Sequence, residues 1–397
     1  MRFTPDLKNL ARVRTVLLVW SGLAVTLLAA CHNDDDRDLG NEVSIQDAGG
    51  PALRLLDSVI LQDSDSAYIA FPAIGLTVDD RGLIYVPDLF GKRLFRFRPT
   101  GELDLIFGAP GRGPGEFGSM GPATIIHDTI VLQGTSRQLM GFHRDDGRYL
   151  FTRRTQGYVL HGLVDADTAY LGYFDYGTRR GLLKVAANEL FAPDPGPVPQ
   201  VLQANMLPVP REYDDYPELI TLSGATVALR GESLVAGFGG TQHLRVLAGD
   251  GTVLQEYEIP VRRRRGVPAG AYDVYAPGPI DFKAHVEAVS SLRQIWRLPD
   301  GLILGLIIDG WVEDVGGQET SFSTAWISLV DLDGSRACVD TRLPFPGTDK
   351  PRVTMRGDTL YALDHVEMPG DSLALQVVVR RYLVGDAGCD WRDLVPR

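Results

Sequence analysis

Positive charge is in short supply in this chain. Its 397 residues hold 39 Lys and Arg against 51 Asp and Glu, a formal net charge of -12. Nucleic-acid binding leans on Lys and Arg contacts to phosphate, so no nucleic-acid partner is expected. The Gly-Lys-Ser/Thr end of a phosphate loop is missing throughout. Gly113-Pro-Gly115-Glu-Phe-Gly118 fits G-x-G-x-x-G in form, but the following GSMGPATII breaks any helix, so a dinucleotide site is excluded too. A membrane-spanning run is also lacking. TVLLVWSGLAVTLLAAC, 15–31, is too short and too abruptly ended for one. Cysteine is scarce, with three in all, at 31, 338 and 389.

The N-terminus states the compartment. Lys8, Arg12 and Arg14 precede the apolar run, and residues 1–30 read as a targeting segment. The run closes with Leu28-Ala29-Ala30-Cys31, which resembles the lipobox of bacterial lipoproteins. The resemblance implies a signal peptide cleaved before Cys31, lipid attachment at the Cys31 thiol and a membrane partner through that anchor. His32 rather than Asp follows the cysteine, which in such lipoproteins implies the outer membrane. Residues 31–50, beginning CHNDDDRDLGNE, are acidic and without apolar periodicity, as a flexible tether should be. In an exported domain Cys338 and Cys389 are candidates for a disulfide, with two separate thiols as the alternative.

What is abundant is turn chemistry, with 44 Gly and 25 Pro. A polar turn followed by an apolar run recurs about six times: DDRGLIYV near Gly82, IHDTIVL near Thr129, DADTAYL near Thr168, LRGESLVAG near Ser233, LPDGLILG near Gly301 and MRGDTLYAL near Thr359. The spacing, roughly 40 to 70 residues, suits propeller blades with their loops. A second turn, with Gly101, Gly147, Gly251 and Gly334 in equivalent places, follows four of them. Glycine there supplies φ > 0 for a tight hairpin. Two hairpins per repeat give a four-stranded antiparallel blade.

Residues 75–117, GLTVDDRGLIYVPDLFGKRLFRFRPTGELDLIFGAPGRGPGEF, resemble the NHL repeat. The matching features are Asp79 to Gly82, Val86 to Asp88, Arg93 to Phe97, Gly101, Phe107-Gly108 and the linker Gly113 to Phe117. The resemblance is specific in this unit only, and no later unit repeats Gly-Pro-Gly-Glu-Phe. It implies an all-β fold over 51–397, a six-bladed β-propeller of four-stranded antiparallel blades. The glycines of 108–117 then carry the chain from an outer strand to the inner strand of the next blade, stiffened by Pro110 and Pro114. LRLLDSVIL, 53–61, is expected to complete the last blade beside SLALQVVVRRYLV, so that an N-terminal strand closes the ring.

No catalytic set stands out. Propellers related to NHL repeats include amidating lyases holding zinc by histidines and lactonases or esterases using calcium, so a divergent metal-dependent lyase or hydrolase is the alternative to a non-catalytic binding module. His127 falls in a strand 1–2 turn, His161 within a first strand, His243 on a third strand and His143 before a Gly turn. His285 lies in an insertion and His365 after a second strand. These places are not equivalent, so no metal or other cofactor is predicted. Asp79, Asp80, Asp145, Asp146, Asp250, Asp331 and Asp333 read as turn residues. Asp88, at the end of an inner-half strand, is a candidate at the channel mouth. Two long insertions, 191–219 and 262–291, are the other places for a protein or small-molecule ligand. Tyr213, Tyr216, Tyr272 and Tyr275 would supply amphipathic contact area there, and Arg264, within Arg262 to Arg265, would meet an anion.

Overall fold

Strands dominate a computed structural model that describes residues 44–62 apart from 48, 68–69, 75–134 apart from 119, 138–154, and 158–186 apart from 166 and 176–179. It also describes 190, 207–208, 225–260 apart from 242, 287, 290–344, 352–368 and 371–396. Residues 43–397 belong to one compact unit. Residues 1–30, expected to be a targeting segment, and Cys31 lie outside the described residues.

Apart from one short parallel pair, the strands group into six antiparallel sheets; five contain four successive strands in sequence order, and the sixth combines strands from both ends of the chain. Blade 1 is Thr77–Val78, Ile84–Asp88, Arg93–Phe97 and Leu103–Phe107. Blade 2 is Ala123–Ile126, Thr129–Gly134, Gln138–His143 and Tyr149–Arg154. Blade 3 is Tyr158–Asp165, Thr168–Asp175, Arg180–Ala186 and Leu207–Pro208. Blade 4 is Ala225–Arg230, Ser233–Phe238, His243–Leu247 and Val253–Glu258. Blade 5 is Ser291–Arg297, Ile303–Val315, Gln318–Asp331 and Arg336–Arg342. Blade 6 takes Arg352–Arg356, Thr359–Met368 and Asp371–Gly385 from the end of the chain and Ala52–Ile60 from its beginning. The architecture is a six-bladed β-propeller. First strands of blades 6, 1, 2, 3, 4 and 5 touch in succession and form the inner wall.

Each blade is covered on both faces by its neighbours, so its middle strands are apolar on both sides. All five residues of Ile84–Asp88 are buried. The core is therefore a set of layers between blades. Tyr85, Phe107, Phe117, Met140 and Phe142 fill the space between blades 1 and 2. Leu53, Leu304, Leu329, Leu360 and Tyr382 fill that between blades 5 and 6. Burying a residue of this size contributes roughly 1.5–3 kcal/mol.

Ring closure follows the expected pairing. Ala52–Ile60 runs antiparallel to the strand Asp371–Gly385, with Leu53 opposite Val384 and Val59 opposite Val379. The sheet begins before residue 51, where the tether was expected to end: Ser44–Ile45 adds a fifth strand against Arg54 and Leu53. The chain's other end does the same for its neighbours. Trp391–Asp393 pairs with the fourth strand of blade 5, and Val395–Pro396 with that of blade 4. Three outer edges are thus covered by terminal segments, which removes exposed N–H and C=O rows.

The crossing at 108–117 needs its glycine. Gly108 has φ +68, and a Cβ there would lie 2.1 Å from the Phe117 ring. Ala109–Pro110 then makes a short parallel pair with Glu116–Phe117 before the chain reaches blade 2. The second-turn pattern needs one correction. Gly101, Gly147 and Gly251 have φ of 91, 72 and 90°, but in blade 5 the left-handed residue is Ser335, at 50°, and not Gly334. The Asp331 carboxylate accepts the Gly334 N–H at 2.8 Å, which moves the left-handed position one residue on. The stretch 191–219 is also no single insertion, because Leu207–Pro208 pairs with Leu182 and Arg180 as the outer strand of blade 3.

Candidate functional site on the crossover face

The alternation of strands sorts every connection onto one of two faces. Turns from first to second and from third to fourth strands lie on one, the turn face. Turns from second to third strands and the crossovers between blades lie on the other.

The turn face is occupied by its own ion pairs. Asp79, whose side chain is fully buried, accepts the N–H groups of Arg81 at 2.9 Å and Leu83 at 2.8 Å, and the Tyr85 hydroxyl at 3.1 Å. Burial, and then the neighbouring Asp79 charge, pushes the Tyr85 phenol up to about 12. Arg81 crosses from blade 1 to Asp145 of blade 2 at 2.6 Å, and this hydrogen bond holds the Asp145 carboxyl below the usual carboxylate range. Arg144 reaches back to Asp80 at 2.7 Å. Further round, Lys184 donates to the Gly249 carbonyl at 3.0 Å, Arg230 pairs with Asp333, and Arg356 donates to the Asp80 carbonyl. Asp250 accepts the Thr252 N–H at 2.9 Å. These aspartates cap turns and tie blades together.

The crossover face is built differently. Asp88 lies here at the end of the second strand of blade 1. It is buried, and its Oδ1 accepts the Phe90 N–H at 3.2 Å, so the carboxylate shapes its own turn. Phe90 beside it is 69% exposed. The fourth strands Leu207–Pro208 and Val253–Glu258 end at this face. Tyr213, Tyr216, Arg264, Tyr272 and Tyr275 lie outside the described residues.

Polar groups gather where blades 4 and 5 meet. Gly239 accepts the Leu292 N–H at 3.0 Å, joining the second-to-third turn of blade 4 to the inner strand of blade 5. At that turn His243 is buried, with Nδ1 3.3 Å from Glu256 Oε1, and Arg245 Nε lies 3.2 Å from Glu256 Oε2. Next to Leu292, the Ser290 hydroxyl donates to Asp309 at 2.9 Å. Glu287 accepts the Val312 N–H at 3.0 Å. Sequence reasoning passed over Ser290, Asp309 and Glu287. The signal for Asp309 was a lone carboxylate in the apolar run GLILGLIIDGWV.

Beyond Asp309 the blade 5 hairpin projects from this face. Its second strand has 13 residues against 6 in blade 4, roughly 20 Å more. Trp311 stacks on Phe322 with ring centres 5.8 Å apart, and its Nε1 donates to Glu313 at 2.8 Å. Blade 6 carries a similar extension, which places His365 inside the strand Thr359–Met368 rather than after it.

Among the described residues no group of three His, Cys, Asp or Glu is placed to hold a metal ion. His127 is exposed in its turn at φ 51°. His143 pairs with Asp146 at 2.9 Å, on the turn face. His127 and His143 lie at the turn end of blade 2, whereas His243 lies at the crossover end of blade 4.

Comparison with known proteins adds to the architecture. The chain matches no family model and no curated relative. A solved member of the DUF4221 family from Bacteroides vulgatus superposes with a TM-score of 0.57 at 10% identity, over 85% of this chain and 99% of its own. This chain shares its fold. A Bacteroides fragilis protein described as exported gives a TM-score of 0.50 at 12% identity, over 83% of this chain and 95% of its own. At such identities the likeness concerns the fold alone, and function has to be argued from the site.

Proposed function

We propose that this chain is an exported, lipid-anchored protein of the bacterial envelope whose propeller is a non-catalytic binding module for a protein partner. The partner engages the crossover face. One observation carries this reading: the connections are unequal between faces. The turn face uses its charged side chains on its own turns and blade contacts. The crossover face bears the blade 5 hairpin with stacked Trp311 and Phe322 and the exposed Phe90. Rigid aromatic anchors beside polar groups are what protein interfaces concentrate. The Leu28-Ala29-Ala30-Cys31 sequence supports the anchor, and its position ahead of Ser44–Ile45 would tie the lipid to the rim of blade 6.

The test is site-specific photocrosslinking in the native envelope. A photoreactive residue in place of Phe90 or Trp311 should yield a discrete partner adduct. The same residue in place of exposed Asp300, on the turn face, should yield none. Adducts from Asp300 and none from the other two would overturn the assignment of the face.

A further inference from the structure

Arg153 is among the largest side chains withdrawn from solvent, with 2% of its surface exposed. It lies in Tyr149–Arg154, the outer strand of blade 2, opposite Leu139 and one residue from the crossover end. Phe151, two residues earlier on the same side, packs with Leu139, Ala169, Leu171 and Val185 between blades 2 and 3. The Arg153 guanidinium carbon stands 5.1 Å from the centre of the Phe151 ring. Among the described residues neither Nη1 nor Nη2 has a hydrogen-bond partner.

The same protein shows what a satisfied counterpart looks like. Arg96, 7% exposed, places its guanidinium 5.6 Å from the Phe107 ring. Its edge is fully used: Nε donates to Asp104 at 2.6 Å, Nη1 to the Arg144 carbonyl and Nη2 to the Asp145 carbonyl at 3.2 Å. An aromatic ring meets only the flat face of a guanidinium, whereas the N–H donors lie in its plane. The group cannot shed its proton, and buried charges are held by paired partners. At Arg96 a carboxylate fills that need. At Arg153 no carboxylate of the described residues does.

We infer that Arg153 is the cationic floor of a binding site for a small carboxylate between blades 2 and 3, at their crossover ends. The two free Nη groups form an end-on fork whose spacing matches the two oxygens of one carboxylate. Phe151 holds the fork from one side, and the surrounding apolar layer strengthens the ion pair by excluding water. The site lies away from the aromatic hairpin of blade 5 and does not depend on the partner proposed there.

Acetate is the probe. In the full chain purified in detergent, saturation-transfer NMR should show magnetisation passing from protein to acetate. The melting temperature should rise with acetate at ionic strength held constant with sodium chloride. Arg153→Met should remove both effects. Arg153→Lys keeps the charge without the fork and should weaken acetate binding about tenfold. If the parent shows no transfer, or chloride stabilises it as well as acetate does, the site is refuted. An undiminished acetate response in Arg153→Met, or in Arg153→Lys should the Met variant not fold, refutes it equally. The parent measurement decides even where neither variant folds.

Discussion

The N–H of Asp390 donates to the carbonyl of Gly49 at 2.8 Å, joining the two ends of the chain. Gln46 Nε2 reaches the Ala387 carbonyl at 2.7 Å, and the Arg342 N–H reaches Asp47 at 2.8 Å. Beside them Cys389 is bonded to Cys338 of blade 5, with Cα atoms 5.4 Å apart. The tail is thereby fastened next to the segment that leads into the closing strand.

We therefore expect the disulfide to matter for closure. It spans 51 residues, and a crosslink of that size contributes roughly 2–4 kcal/mol. Cys338→Ser with Cys389→Ser should lower the denaturant midpoint by a matching amount, and reductant should do the same to the parent. Equal midpoints with and without reductant would show that the bond contributes nothing.

The Arg96–Asp104 pair should be the costliest of the blade ties to break. Arg96 is nearly buried, so Asp104→Asn leaves its charge without a counter-ion. Asp104 keeps about a fifth of its side-chain surface in solvent, which moderates the loss to roughly 2 kcal/mol. Replacing both at once, Arg96→Met with Asp104→Leu, should recover much of that loss in chemical denaturation. A double variant no better than the single one would contradict this account.

Alkaline stability should depend on Tyr85. Its folded pKa of about 12 lies above the unfolded value of 10, so the folded state holds the proton more tightly. The associated stability is whole below pH 10 and is lost as pH rises towards 12. Burial also raises Tyr382. Each phenol steepens the decline by at most about 1.4 kcal/mol per pH unit. Tyr85→Phe should flatten part of this limb, as read by denaturant midpoints between pH 9 and 12. An unchanged limb would mean that Tyr85 does not titrate in that window.

Anchoring is tested by Cys31→Ala. The variant should move from the membrane pellet to the soluble fraction, because several acyl chains are needed for firm attachment. Membrane association equal to the parent's would reject the lipobox reading.

Much of this molecule was determined by the sequence alone. All six recurrent turns lie between first and second strands, because short polar turns and apolar runs are local signals that survive without context. Leu53 and its neighbours could be matched to the far end of the chain because a propeller needs its last edge covered. Tertiary structure decided what depends on packing across blades. That Arg96 reaches the Arg144 and Asp145 carbonyls of blade 2, while the Arg153 Nη groups meet no hydrogen-bond partner among the described residues, cannot be read from either strand, since each is simply an arginine in a strand. The left-handed residue at Ser335, the outer strand inside 191–219 and the terminal strands on blades 4 to 6 were likewise settled by neighbours distant in sequence. The asymmetry of the two faces belongs to the same class. It follows from the direction in which each strand runs, which no local pattern of residues records.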